Sequence, residues 1–331
     1  GFEGGSFQTF REKAGISGGQ DNVNYSLEFS RQDSNGILEN DEFNETAFSG
    51  RAGYNWNNGN SIDFTGQIFD SNAGLPFDFV LLPALLQNQD TNTKLFSTNF
   101  GHHSGNYFNL NTLFTVADRD YHYENPENTF APIQDNASTS YQITFQNDFQ
   151  LSESNTLSAG YEYEHESVEA SDSNGPSLDQ VIENHGLFVQ EKLEIQHFTL
   201  TAGVRYDHFN SFGDTTNPRI GVAYKITEGS KVRGSYGRGF RAPSAGDLAF
   251  PFYGNPDLKP EKSESWEVGV DHYLGSRTTI SGSWFHNDYT DLITFDPNTF
   301  IAGNVAEAMT QGLELSATVQ YGSWNLWGGY T

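Results

Sequence analysis

A strict two-residue alternation runs through most of the chain. Val23, Tyr25, Leu27 and Phe29 alternate with Asn24, Ser26, Glu28 and Ser30. Leu157, Ala159, Tyr161 and Tyr163 alternate with Ser158, Gly160, Glu162 and Glu164. Phe198, Leu200, Ala202, Val204 and Tyr206 do the same, as do Leu313, Leu315, Ala317, Val319 and Tyr321. Period two means a strand with one apolar and one polar face. No stretch carries a convincing helical period, although residues 79–89 could hold a short helical turn within a loop. The fold class that follows is all-β.

The connections constrain the topology further. Short turns recur near residues 19–21, 57–60, 103–106, 152–155, 196–197, 228–230, 275–277 and 322–323. Between them lie longer connections at 32–44, 72–91, 119–137, 171–180, 210–216, 241–262 and 289–304. Short and long connections take turns, as in a meander with all its tight turns at one end. Segments of roughly 10–15 residues are long enough to cross a bilayer at a tilt, whereas soluble sandwich strands average about 5–6. The pattern predicts an antiparallel transmembrane β-barrel of about sixteen strands, bounded to within a few residues.

Composition agrees. No run approaches the roughly 18 apolar residues of a spanning helix, but only alternate residues of a barrel strand face lipid, so a barrel can be polar on average. The 27 Phe, 16 Tyr and 34 Gly suit strands and interfacial girdles. The absence of cysteine excludes a disulfide framework and a thiol nucleophile. A formal net charge of −26 argues against a nucleic-acid partner.

Three linked motifs follow the strand around Val232, Gly234 and Tyr236. They are GFRAPS at 239–244, GDL at 246–248 and YGNPDLKPEKSESWEVGV at 253–270. Together they resemble the corresponding stretch of TonB-dependent outer-membrane transporters, most closely the cobalamin-receptor branch. NPRIGVAY at 217–224, WFHNDYTDLI at 284–293 and QGLEL at 311–315 are similar to further strand motifs of that family. The resemblance covers nearly the whole chain and is most specific after about residue 200.

The resemblance implies a twenty-two-stranded barrel around an N-terminal plug. On that scheme residues 1–331 form one barrel domain, truncated at both ends. It supplies about sixteen strands and lacks the plug, the first strand and the last strands. Two unpaired edges in lipid are costly, so the isolated segment is not expected to insert as a closed barrel. The implied role is TonB-dependent uptake of a large scarce nutrient, cobalamin first, with a ferric siderophore or other metal chelate as the alternative. The implied location is a Gram-negative outer membrane. The implied partners are outer-membrane lipid and lipopolysaccharide, the TonB complex through the plug, and the cargo. No enzymatic role is implied.

Candidate site residues fall in the longer connections. Asp33, Asn35, Glu39, Asp41 and Glu42 offer the oxygen ligands that calcium requires, although the spacing is not that of an EF-hand. The family resemblance singles out Asp41, and with Asp33 and Glu39 it forms the candidate calcium set. A solvated acidic loop is the alternative. Otherwise no cofactor is expected. Residues 74–86 are apolar, so Phe77 and Phe79 suit either a wall of a substrate vestibule or loop-on-loop packing. Phe250, Phe252 and Tyr253 could contact a bulky planar ligand. Arg241, Pro243, Asn255, Pro256 and Glu261 read as structural residues of the motif, with Arg241 paired to Glu261. Glu162, Glu164 and Glu166 share one strand face, and on a lumen-facing strand the resemblance implies that arginines of the plug, or water, meet them. A passive sixteen-stranded porin is a more remote reading, because residues 72–91 are too apolar for a charged constriction loop.

Overall fold

A computed structural model describes residues 1–77, 83, 85–105, 107–128, 132–251 and 253–331. Its strands are β1 (Phe2–Gly4), β2 (Phe10–Gln20), β3 (Val23–Ser34), β4 (Phe43–Asn55), β5 (Asn60–Gly74) and β6 (Asn88–Ser104). There follow β7 (Phe108–Glu124), β8 (Ile133–Ser152), β9 (Asn155–Asp172), β10 (Gly175–Ile195), β11 (Phe198–Phe209) and β12 (Gly213–Thr227). After β13 (Ser230–Arg241) comes the short helix α1 (Ala245–Ala249). The chain ends with β14 (Glu261–Leu274), β15 (Thr278–Phe295), β16 (Ala302–Tyr321) and β17 (Trp324–Tyr330). All pairings between sequence neighbours are antiparallel. The meander is not closed: among the described residues β1 is registered against β2 and β17 against β16.

The structure adds a three-residue piece, β1, to the sixteen longer strands expected. It also lengthens several of them, up to 21 residues in β10. About 9–11 tilted residues suffice to cross a bilayer, so these hairpins rise well beyond it. Two connections expected to be long are tight. Residues 173–174 join β9 to β10, with the Asn174 N–H donating to Asp172 Oδ1 at 2.7 Å and Gly175 at φ +126°. The Asn-Gly pair there is a turn signal that the polar run around it obscures. Residues 210–212 join β11 to β12, with Gly213 at φ +87°. The long connections that remain all sit at one end.

The apolar face of this sheet looks outward. Tyr25, Leu27 and Phe29 are exposed, as are Leu187, Val189, Val204, Val222, Val268 and Leu315. Register aligns them into rows: Phe29 lies opposite Phe48, and Phe48 opposite Ile68. Water does not tolerate so large a contiguous apolar surface, whereas hydrocarbon does. The few buried apolar residues gather where loops meet the wall. Ala170, Leu178 and Ala245 form one cluster, and Leu248, Leu258 and Ala302 another. Among the described residues no helix is long and apolar enough to span a membrane.

Candidate functional site

The site is built at the end where the long connections meet, above the polar inner face of the wall. One part of it is the segment between β13 and β14. Ser244 caps α1 reciprocally: its hydroxyl accepts from the Asp247 N–H at 3.1 Å, while the Ser244 N–H donates to Asp247 Oδ2 at 3.0 Å. Pro243 is fully buried in front of it. The helix turns Ala245 and Leu248 inward and ends at Phe250. It lies where the sequence suggests only loop; five residues are too few to reveal a helical period.

A chain of polar contacts ties this segment to its neighbours. Arg241 donates twice to Glu261, Nε to Oε2 and Nη2 to Oε1, each at 2.7 Å. Glu261 Oε1 also accepts from the Ile293 N–H at 2.8 Å, which joins β14 to β15. Asn255 donates through Nδ2 to the Ala302 carbonyl at 2.9 Å and accepts the Asp257 N–H at 3.0 Å. Pro256 sits between those two contacts. Asn304 accepts from the Lys259 N–H at 2.8 Å and donates to the Lys259 and Asp291 carbonyls. Gly254 is required by close approach: a Cβ there would lie 2.6 Å from the Phe250 nitrogen.

The aromatic candidates divide. Phe250 is 47% exposed at the end of α1. Tyr253 instead lies parallel to Phe295, with ring centroids 6.3 Å apart. Phe295 in turn meets Phe300 edge-on at 5.9 Å. Neither Phe295 nor Phe300 is singled out by the sequence, although Phe295 ends β15 and Phe300 lies within the 296–301 connection. Phe252 and Phe79 lie outside the described residues. Phe77 is 45% exposed and bridges to Pro83.

The 35–42 connection is fastened to the 75–87 connection. Asn40, at φ +60°, donates through Nδ2 to the Leu75 and Gln87 carbonyls, each at 2.9 Å. Asp41 turns inward on its own loop, its Oδ2 accepting from the Ile37 N–H at 3.0 Å. Asp33 is held in a two-pronged contact by Arg31, at 2.9 and 2.8 Å. Asp33, Glu39 and Asp41 are therefore not brought together, and no three His, Asp or Glu side chains are grouped to hold a metal among the described residues.

Below α1, the inner face carries Glu162, Glu164 and Glu166 from β9, Asn184 from β10, and Arg205 and Asp207 from β11. Arg205 pairs with both Glu162 and Asp207 at 2.7 Å. Gly186 makes room for it, since a Cβ there would stand 2.3 Å from Arg205 Nη2. Phe209, Phe212 and Phe240 pack against one another above, the first two stacked at 4.7 Å. The arrangement is a polar interior roofed by aromatic and apolar loop residues. It suits reception and passage of a solute.

The comparisons with known proteins agree with this architecture. A family model described as "TonB dependent receptor-like, beta-barrel" matches residues 3–331. A protein named vitamin B12 transporter BtuB, from Photobacterium profundum, is 29% identical over 220 residues. That alignment takes in 63% of this chain, and the chain spans only 35% of that relative. The copper transporter OprC superposes with a TM-score of 0.84 over 99% of this chain and 59% of its own, at 15% identity. The FrpB iron transporter from Neisseria meningitidis gives 0.81 over 98% and 59%, at 16% identity. The siderophore receptor PirA from Acinetobacter baumannii gives 0.78 over 96% and 58%, at 13% identity. At these identities the structures speak for the fold.

Proposed function

The chain belongs to the TonB-dependent receptor-like β-barrel family, and from that premise we propose that it is the wall and mouth of an outer-membrane active transporter for a large, scarce nutrient, cobalamin first. Members of the family act as receptors and transporters, not as enzymes. The observation that carries the substrate reading is the 29% identity to a protein named as a vitamin B12 transporter, over 220 residues. The exposed apolar rows support a lipid-facing exterior in a Gram-negative outer membrane. The braced connections at one end support a receiving surface in which Phe77 and Phe250 contact the cargo.

On this reading the barrel is a passive wall and the loops select. Energy arrives from the inner membrane through the TonB complex, which acts on a plug within the barrel. Lipid and lipopolysaccharide surround the apolar belt. A ferric siderophore or another metal chelate is the second reading, supported by the iron and siderophore transporters that share the fold. Calcium joins this reading through the 35–42 connection. It would have to draw Asp33 away from Arg31 and gather Glu39 and Asp41 around itself.

The test is a binding titration of the full-length protein in detergent, with cobalamin, with and without calcium, beside a panel of ferric chelates. Saturable cobalamin binding supports the subfamily, and loss of that binding on calcium removal supports the loop site as well. Binding of a chelate in place of cobalamin keeps the transporter and discards both the cobalamin and calcium assignments.

A further inference from the structure

The wall is not continuous between β12 and β13. Their register ends at Arg219 opposite Gly237. On either side the ladders run on, β11 with β12 up to Phe209 opposite Gly213 and β13 with β14 up to Arg241 opposite Glu261. Among the described residues, 213–218 and 238–241 therefore face one another without register. Pro218 stands where the ladder stops, and it has no N–H with which to continue it. The gap is closed again above, where the Phe212 and Phe240 rings meet edge-on at 6.3 Å. What remains is an opening framed by two strand edges, and alternate residues of each edge turn backbone polar groups into it.

The opening crosses the wall, because it is lined from both sides. A cavity of about 460 Å³ lies on the inner face beside Glu162, Gln190 and Arg205. Another, of about 600 Å³, is lined by Asp214, Thr216, Lys262, Glu264 and Asp288. By the alternation these five share strand faces with Val222, Val268 and Trp284, which are exposed on the outward face. Asn217 and Arg238 line both cavities.

The outer cavity carries charge of both signs. Arg238 Nε donates to the Tyr236 hydroxyl at 3.0 Å and to Glu264 at 3.3 Å, and Lys262 pairs with Asp291 at 3.2 Å. Both cations are more than half exposed, so these pairs are weak and open to a further partner. Toward the tight-turn end the same outward face becomes aromatic, with Tyr236 against Trp266 at 4.2 Å, and then aliphatic, with Val222, Val268 and Val270 exposed. Charge, then rings, then aliphatic side chains is the order of a bilayer leaflet from headgroup to chains. Three carboxylates against two cations disfavour a head that is only anionic. A phosphate between Arg238 and Lys262, with an ammonium at the carboxylates, answers both signs.

We propose that the opening between β12 and β13 is a binding site for the head of a zwitterionic phospholipid. Its phosphate meets Arg238 and Lys262, its ammonium meets Asp214 and Asp288, and its chains lie on the valines below. The site rests on the lipid-facing exterior proposed above and is independent of the cargo.

The experiment uses the full-length protein in detergent, with a short-chain phosphatidylethanolamine as probe and native mass spectrometry as readout. Phosphatidylglycerol of the same chain length tests the ammonium, and free phosphoethanolamine tests the chains. The heat-dependent electrophoretic shift of a folded barrel is recorded for every variant, so failure of the membrane-barrel reading is seen apart from failure of the site. The expected result is one phosphatidylethanolamine held about tenfold or more tighter than either comparison compound. R238Q/K262Q weakens that binding by about tenfold or more. R31Q/K94Q, which removes two cations from the outward faces of β3 and β6, leaves it unchanged. The proposal is overturned if the folded barrel does not bind the probe, or if phosphatidylglycerol or free phosphoethanolamine binds as tightly. It is also overturned if R238Q/K262Q binds the probe as well as R31Q/K94Q does.

Discussion

Arg205 shows at the scale of one residue how the wall tolerates charge. Asp207 is fully buried and Arg205 is its cation, admitted by the missing side chain at Gly186. Replacing Arg205 by Met leaves a buried carboxylate unpaired and should cost about 3–5 kcal/mol. Most of that loss should be recovered in R205M/D207N, as measured by urea unfolding in detergent. Gly254→Ala should act differently. It displaces the segment around Phe250, so cargo binding should fall severalfold while the unfolding midpoint of the wall stays unchanged. The alternation makes the shared face of Glu162, Glu164 and Glu166 legible in the sequence. It cannot reveal that Arg205, 43 residues beyond Glu162, closes a pair with it. Nor can it reveal that Tyr253 would lie on Phe295, because that depends on which connections meet in space. Asp33 shows the same limit: its spacing suits a calcium ligand, yet Arg31 two residues earlier takes both of its oxygens.

At the scale of elements, the strands declare themselves because period two and cross-strand register enforce each other. A slip of one residue would turn every apolar side chain to the wrong face. The face assignment is tested by moving charge. Val204→Arg places a cation on the outward face of β11 and should cost about 2–4 kcal/mol if it lies near the bilayer midplane. Ser235→Arg, on the inward face of β13 opposite Glu267, should cost far less in the same refolding assay in lipid vesicles. The connections are less legible. The tight turns at the other end are marked by their Gly, Asn and Ser content, but the hairpins at 173–174 and 210–212 are hidden because the strands beside them are polar. Helix α1 is held by its cap and its neighbours more than by its own periodicity. Ser244→Ala should therefore cost about 1 kcal/mol and speed amide hydrogen exchange across 245–258, with exchange in β13 and β14 unaltered.

At the scale of the whole molecule, an exposed apolar exterior, a charged interior and long connections gathered at one end make sense together only with lipid outside and solute inside. Among the described residues no register joins β1 to β17, and the chain spans 35% of its named relative and 59% of a structural neighbour. A passive pore would share the wall, so the decisive difference is energy. The most direct measurement is uptake of radiolabelled cobalamin by cells of a Gram-negative host lacking its own cobalamin receptor. The host would carry the full-length protein, in matched strains with and without TonB. Accumulation above the external concentration, lost when TonB is absent, is the expected result. Entry that only tracks the external concentration, and is the same in both strains, would contradict the account and leave a passive channel in its place.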